Sequence, residues 1–274
     1  MEGRLLPKYQ GRYQAHPVGY WQDEFSVAKT IGLDCIEFIL DFNDAEINPL
    51  IKDGGVDELQ SIIDTSGVGV KTICADYFME APLHVSDETA AATSLDMLHV
   101  LLDNAAKLGV SDVVIPCVDQ SSLRSDEEAA KFIQVLQPLA DKLEKLSINL
   151  SLETDLNPEG FYSLLKKFDS PRVTVNYHIG NSAALNYDPV EELQAYGNRI
   201  TDIHIKDRVS GGGPVTLGEG NADFDKFFTA LADYRYQGPF IMQAYRDDEG
   251  VEIFKKQLAW IKPYIEQYAS KLGS

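Results

Sequence analysis

From about residue 34 onward the chain repeats one theme: a short β-branched or aliphatic run, a turn, then a longer amphipathic stretch of helical period. The strand-like runs are DCIEFIL (34–40), VKTICA (70–75), DVVIPC (112–117), INLSLE (148–153), RVTVNYH (172–178), ITDIHIK (200–206) and PFIMQA (239–244). Helical patterns separate them, among them DELQSIIDTSG, TSLDMLHVLLDNAAKLG, EEAAKFIQVLQPLADKLEKL, FDKFFTALADY and VEIFKKQLAWIKPYI. The glycines of TIGLD, TSGVGV and AKLGV stand just before the next strand and read as helix C-caps, because glycine accepts the left-handed backbone that ends a helix. With a first strand expected near GRLL (3–6), eight strand-helix units fill 274 residues, the size and rhythm of a (β/α)8 barrel. A doubly wound open sheet would carry a glycine-rich phosphate turn after its first strand, and GRLLPKYQGRYQ lacks that spacing. No Pro/Ser-rich linker or low-complexity tract interrupts the rhythm, so the sequence predicts a single α/β TIM-barrel domain over 1–274.

Composition removes several functional classes. With 43 acidic against 24 basic residues the formal net charge is -19, which repels nucleic-acid backbones and anionic membrane surfaces. The start MEGRLLPKYQ is not a secretory signal, and no apolar run is long enough to span a bilayer; the expectation is a soluble, cytoplasmic protein. Cys35, Cys74 and Cys117 fall in three separate strand-like runs and read as buried thiols in a reducing compartment.

In ITDIHIKDR, Ile200, Ile203 and Ile205 alternate with Asp202, His204 and Lys206. A barrel strand must turn its apolar face out under the helices, so the charged face points inward. The same parity on the neighbouring strands sends Asn149, Ser151 and Glu153, then Thr174, Asn176 and His178, then Ile241, Gln243 and Tyr245, to the inside. Glu153, His178, His204 and Gln243 thus converge near the C-terminal ends of four adjacent strands, where barrels of this kind place their active sites. Two imidazoles, a carboxylate and an amide oxygen suit one divalent Zn, Mn, Fe or Co ion better than Mg. The alternative is a set of inward polar groups that only hydrogen-bond one another. His84, after the third strand, is a weaker candidate, and His16 and His99 read as packing or surface residues.

At this point the chain resembles the xylose isomerase-like barrels, the superfamily of sugar-phosphate isomerases and epimerases that also includes an apurinic endonuclease type. The resemblance rests on EGRL, GLDCIEF, SLETDLNP, the G-N after His178, and above all HIKDR followed by LGEGNADF. In that family the strand-end residues of strands five to eight usually read Glu, Asp, His, Glu and hold one divalent metal. Glu153 and His204 match; His178 stands where the family has Asp, Gln243 where it has the second Glu, and Asn181 where it often has His. With Glu153 the only anionic ligand, a bound dication would keep a charge near +1, which favours an anionic substrate group.

Around this centre, Lys206 is placed to stabilise an enediolate or to pair with Asp207 or Glu153. The loop VSGGGPVTLGEGN, flanked by Arg208 and Arg246, lies where barrels often bind phosphate. Glu37 faces inward on the second strand, to touch substrate or to pair inside the barrel, and Tyr20 or Trp21 could stack on a sugar ring. The sequence therefore predicts a metal-dependent sugar or sugar-phosphate isomerase working through an enediolate, with Glu153 as base. The rivals are a ketose 3-epimerase or a metal-dependent lyase or hydrolase on the same barrel, and a non-catalytic sugar-binding barrel. Isomerisation is preferred because an amide at position 243 cannot serve as the second base that inversion needs. A homo-oligomer is compatible with the sequence.

Overall fold

The alternation read from the sequence is realised in space. In a computed structural model describing residues 1–3, 5–247 and 250–273, the strands are β1 (Cys35–Ile39), β2 (Gly69–Cys74), β3 (Asp112–Cys117), β4 (Asn149–Thr154), β5 (Val173–His178), β6 (Ile200–Ile205), β7 (Asp207–Arg208), β8 (Pro214–Val215) and β9 (Phe240–Met242). Seven of them form one parallel sheet in the order β1-β2-β3-β4-β5-β6-β9, and β7 with β8 makes a separate antiparallel ribbon. The helices are α1 (Asp23–Ile31), α2 (Gly55–Ser66), α3 (Tyr77–Glu80), α4 (Glu88–Lys107), α5 (Asp126–Leu136), α6 (Ala140–Leu146), α7 (Pro158–Leu165), α8 (Ile179–Ala184), α9 (Pro189–Tyr196), α10 (Phe224–Leu231) and α11 (Val251–Leu272). No described helix is long and apolar enough to cross a membrane. Gly32, Gly67 and Gly109 all adopt positive φ at the ends of their helical stretches, as the capping pattern requires. The long run EEAAKFIQVLQPLADKLEKL divides into α5, a 3-10 turn at Gln137–Leu139, and α6, because Pro138 has no N–H to continue the ladder.

The first strand differs from expectation. Instead of GRLL, Met1 and Glu2 fill the space between β9 and β1: the Glu2 N–H donates to Met242 O at 3.2 Å, and the Glu37 N–H donates to Met1 O at 2.7 Å. Leu5 and Leu6 are buried, and Arg4 lies outside the described residues. The sheet edges thereby meet through a two-residue bridge.

The polar strand faces do point inward, with one local device. Ile200, Ile203 and Ile205 cannot share one face of a regular strand, since 200 and 203 differ by an odd number. Between β5 and β6 the register runs Val175 to Ile200 and then Asn176 to Asp202, leaving Thr201 as an extra residue. This bulge turns the Thr201 hydroxyl inward, 2.7 Å from Thr174 Oγ1, and lets all three isoleucines stay buried. On the outer face Tyr177 stacks on Phe227 of α10 with ring centroids 4.8 Å apart. The three cysteines are free thiols.

Two buried side chains outside the barrel interior fix the loops around the mouth. Asp207, fully buried, accepts from the N–H groups of Gly218 and Gly220 at 2.9 Å and of Ala222 at 3.1 Å, so it organises the LGEGNA segment and does not pair with Lys206. A Cβ at Gly220 would stand 2.2 Å from Asp207 Oδ1, which is why this segment needs glycine. His16 is packed between Trp21 and Phe38, and burial, with Lys52 nearby, lowers its pKa to about 4.

Both generate tests. Asp207→Ala strands three backbone donors and should cost about 3 kcal/mol in urea unfolding, with Asp207→Asn intermediate; equal stability of Ala and wild type would contradict the role. His16 binds a proton in the unfolded chain below pH 6.5 but in the fold only below about 4, so its neutral burial loses stability as pH falls through that window. His16→Leu should remove on the order of 3 kcal/mol of this acid sensitivity, read as a smaller stability difference between pH 7 and pH 4 than in wild type.

Candidate active site

The C-terminal ends of the strands open into a cavity of about 690 Å³, within the range of small-molecule sites. Glu153 near the end of β4, His178 at the end of β5, Lys206 just past β6 and Gln243 just past β9 all line it, so parity delivers these side chains to one mouth. Gln243 and Lys206 each lie one residue beyond the Met242–Ile205 pair, so they share a height in the barrel.

Their hydrogen bonds fix each group's state. His178 caps α8: its Nδ1 accepts from the Asn181 N–H at 3.2 Å. The ring proton therefore sits on Nε2, which donates to Gln243 Oε1 at 2.7 Å. Burial, with the charges of Lys206 and His204 adding to it, pushes the His178 pKa far down and keeps the ring neutral. Gln243 Oε1 also accepts from Lys206 Nζ at 2.8 Å, while its Nε2 donates to Glu2 Oε2 at 2.5 Å. Glu153 Oε1 accepts from Asn181 Nδ2 at 2.6 Å, and Asn181 Oδ1 accepts from Arg208 Nη1 at 2.8 Å. Burial raises the Glu153 pKa, opposed by His204 and Lys206, which moves this carboxyl toward the range useful to a general base.

His204 is turned away from this group. Its ring lies 5.3 Å from that of His178, yet its Nε2 is 2.8 Å from Glu37 Oε1 and 3.5 Å from Asp202 Oδ2, all three residues being fully or almost fully buried beneath the cavity. Burial alone would lower its pKa, but Glu37 and Asp202 outweigh that and hold it well above the ordinary value. Burial pushes Glu37 up to about 8 despite His204. Glu37 thus pairs inside the barrel and does not line the cavity.

As they stand, the four expected ligands do not fit a divalent metal. His178 offers no inward lone pair, because Nδ1 is engaged by a backbone N–H and Nε2 carries the proton. Gln243 Oε1 already receives two donors, one of them an ammonium, and His204 faces away from the cavity, where with Glu37 and Asp202 it forms a separate buried group whose ligand atoms lie within 4.8 Å of one another. Glu153 is the one anionic group of the four.

The rim shows further departures. In the glycine loop the N–H of Ser210 goes to Asn221 Oδ1, that of Gly211 to Ala184 O and that of Gly212 to Val209 O, so these amides hold the loop and not a phosphate. Arg208 is likewise committed, with Nε and Nη2 on Gly212 O in addition to its bond to Asn181. Arg246 lines the cavity with its guanidinium 4.5 Å over the Tyr13 ring. Trp21 packs on Phe25 and Phe38 and Tyr20 on Tyr9, so the aromatic side chains lining the cavity are Tyr13 and Tyr245 instead. His84 packs on Phe132, and His99 meets Lys142, both away from the mouth. Asp76, which the sequence reading missed, lines the cavity just after β2; burial, with Glu2 and Asp41 adding charge, raises its pKa to about 7. Its signal was positional: in KTICAD it is the first acid past a strand end.

The comparisons agree with this architecture. A family model described as xylose isomerase-like TIM barrel matches residues 25–264. The L-ribulose-5-phosphate 3-epimerase UlaE of Salmonella paratyphi A is 26% identical over 272 residues, covering 95% of this chain and 94% of that protein. A solved D-psicose 3-epimerase in the presence of D-fructose has a TM-score of 0.73 at 16% identity, over 89% of this chain and 93% of its own. A xylose isomerase-like TIM barrel protein from Mycobacterium smegmatis in complex with magnesium has a TM-score of 0.70 at 19% identity, over 93% and 90%. The likeness to sugar-phosphate epimerases along nearly the whole length makes the protein an enzyme of the sugar isomerase and epimerase kind. With its barrel and the family model in agreement, the chain belongs to the xylose isomerase-like TIM barrel family.

Proposed function

We propose that the enzyme epimerises a phosphorylated ketose at the carbon next to its carbonyl. The observation that carries this reading is a single cavity holding two raised carboxyls from separate strand ends, Glu153 and Asp76, beside Lys206. Glu153, steadied by Asn181, removes the proton from C3 and the electron pair moves onto the carbonyl oxygen, giving an enediolate. Lys206 stabilises that oxygen, and Asp76, about half protonated near neutral pH, returns a proton to the other face of C3. Asp76 thus answers the objection that the amide of Gln243 leaves the site without a second base. The relatives named as L-ribulose-5-phosphate 3-epimerases support the same class. Isomerisation between aldose and ketose by Glu153 alone is the second reading, favoured by the amide at 243.

A phosphate group is supported by local charge. The cavity wall carries Arg12, Lys206, Arg208 and Arg246 against Asp76, Asp119, Glu153 and Asp155, an even balance in a chain with 24 basic and 43 acidic residues. Arg246, which lines the cavity with its guanidinium over the Tyr13 ring, is the rim cation assigned to the phosphate.

Turnover of ribulose and xylulose 5-phosphates in D2O, followed by NMR, tests the reaction. Inversion at C3 with one solvent deuterium is expected, and Glu153→Gln should slow it by about 10³-fold. Asp76→Asn should still exchange the C3 hydrogen for deuterium but with retention, because only the returning acid is lost. An aldose product would defeat the epimerase assignment, and normal inversion by Asp76→Asn would remove Asp76 as the acid that returns the proton. Arg246→Ala should raise KM about tenfold for the phosphorylated sugar and much less for its neutral parent, by loss of a charge-assisted contact; equal effects on both would remove Arg246 from phosphate binding.

A further inference from the structure

We propose that this active site works without a divalent metal, and that Lys206 supplies in its place the positive charge that receives the enediolate oxygen; the oxyanion half rests on the epimerase reading above.

The first support is the direction of every hydrogen bond around Gln243. Its carbonyl oxygen has two lone pairs, and both meet donors, His178 Nε2–H at 2.7 Å and Lys206 Nζ at 2.8 Å. The amide cannot be turned to free that oxygen, because its NH2 would then face an ammonium and its oxygen would face the carboxylate of Glu2, which now accepts from Nε2. The second support is the tautomer of His178. A neutral imidazole bound to a metal through Nε2 must carry its proton on Nδ1, where the Asn181 N–H already points. That amide belongs to the first turn of α8, so freeing Nδ1 gives up the side-chain cap of the turn that also sends Asn181 Nδ2 to Glu153.

The third support is that the lysine is built into the mouth. Gly180 of α8 leaves room for its stem: a Cβ there would lie 3.0 Å from both Cβ and Cγ of Lys206. The barrel thus keeps a side chain out of the place where the lysine passes. Of the four groups expected to hold a dication only Glu153 is a carboxylate, already hydrogen-bonded at 2.6 Å, and the ion would stand beside the ammonium of Lys206. The ammonium instead gives a preorganised donor whose charge develops no new cost as the oxyanion forms.

The test uses the full chain grown with added manganese and zinc and purified without chelator. Elemental analysis is expected to find well under one metal per chain, about 0.1 or less, and added MnCl2 or ZnCl2 should leave Tm unchanged within about 1 °C. The double variant His178→Asp/Gln243→Glu removes both obstacles and should bind Mn at least about tenfold more tightly than wild type by titration calorimetry. A chelator should leave turnover within about twofold of its value, while Lys206→Met should lower kcat by roughly 10²-fold or more. One metal per wild-type chain, lost in His178→Ala, overturns the metal-free assignment. A Lys206→Met enzyme as active as wild type overturns the lysine's role. A chain that stays metal-free yet turns over no phosphorylated ketose keeps the first assignment and sinks the functional reading, since metal content and Tm are read without substrate.

Discussion

A barrel that turns charged strand faces inward must satisfy them there, because a buried charge without a partner costs several kcal/mol. Much of the interior of this protein answers that demand by pairing charges, although Glu37 Oε1 and Oε2, His204 Nε2 and Asp202 Oδ1 make no hydrogen bond. His204 stands between Glu37 and Asp202, Asp202 also accepts from Asn176 Nδ2 at 3.0 Å, and Thr201 and Thr174 share a hydrogen bond below them. The pairs link β1, β5 and β6, so the polar core fixes the relative heights of the strands as firmly as the apolar helices fix their outside. A slip of one residue would leave carboxylates against aliphatic side chains.

Much of this was legible in the sequence, because a strand's period of two leaves little freedom once one face must be apolar. Glu153, His178 and Gln243 reach the mouth for that reason, and Lys206 with them. The same logic hid a clue in plain sight: Ile200 and Ile203 could be buried together only across an irregularity, and the Thr201 bulge is that irregularity. Parity alone does not say which inward neighbour a side chain will choose. His204 selects Glu37 and not Gln243 because Gln243 sits beside Lys206 at the next level up, and such levels depend on stagger between strands far apart in sequence. The first strand was misplaced by a few residues for a similar reason, since Met1 and Glu2 earn their position through hydrogen bonds to β1 and β9 and not through any local pattern.

Loop residues were the least readable. Asp76 carries no motif, yet burial at a strand end makes it a titratable wall of the cavity. The glycine loop looked like an anion cradle, but its amides are spent on its own fold, and Arg208 holds the loop's Gly212 carbonyl. Composition says only that the chain is acidic; the even balance of charge around the cavity is a property of the fold and not of the composition.

Arg208 also couples two things that evolution and engineers usually treat as separate. Through one guanidinium it grips the β7–β8 ribbon at Gly212 and, through Asn181, it orients the carboxylate of Glu153. A change in ribbon length made to fit a different sugar would therefore travel along three hydrogen bonds to Glu153, the residue proposed to abstract the proton. In this barrel, substrate range and turnover number are mechanically geared, and grafting a foreign loop would require carrying the residue at 208 with it.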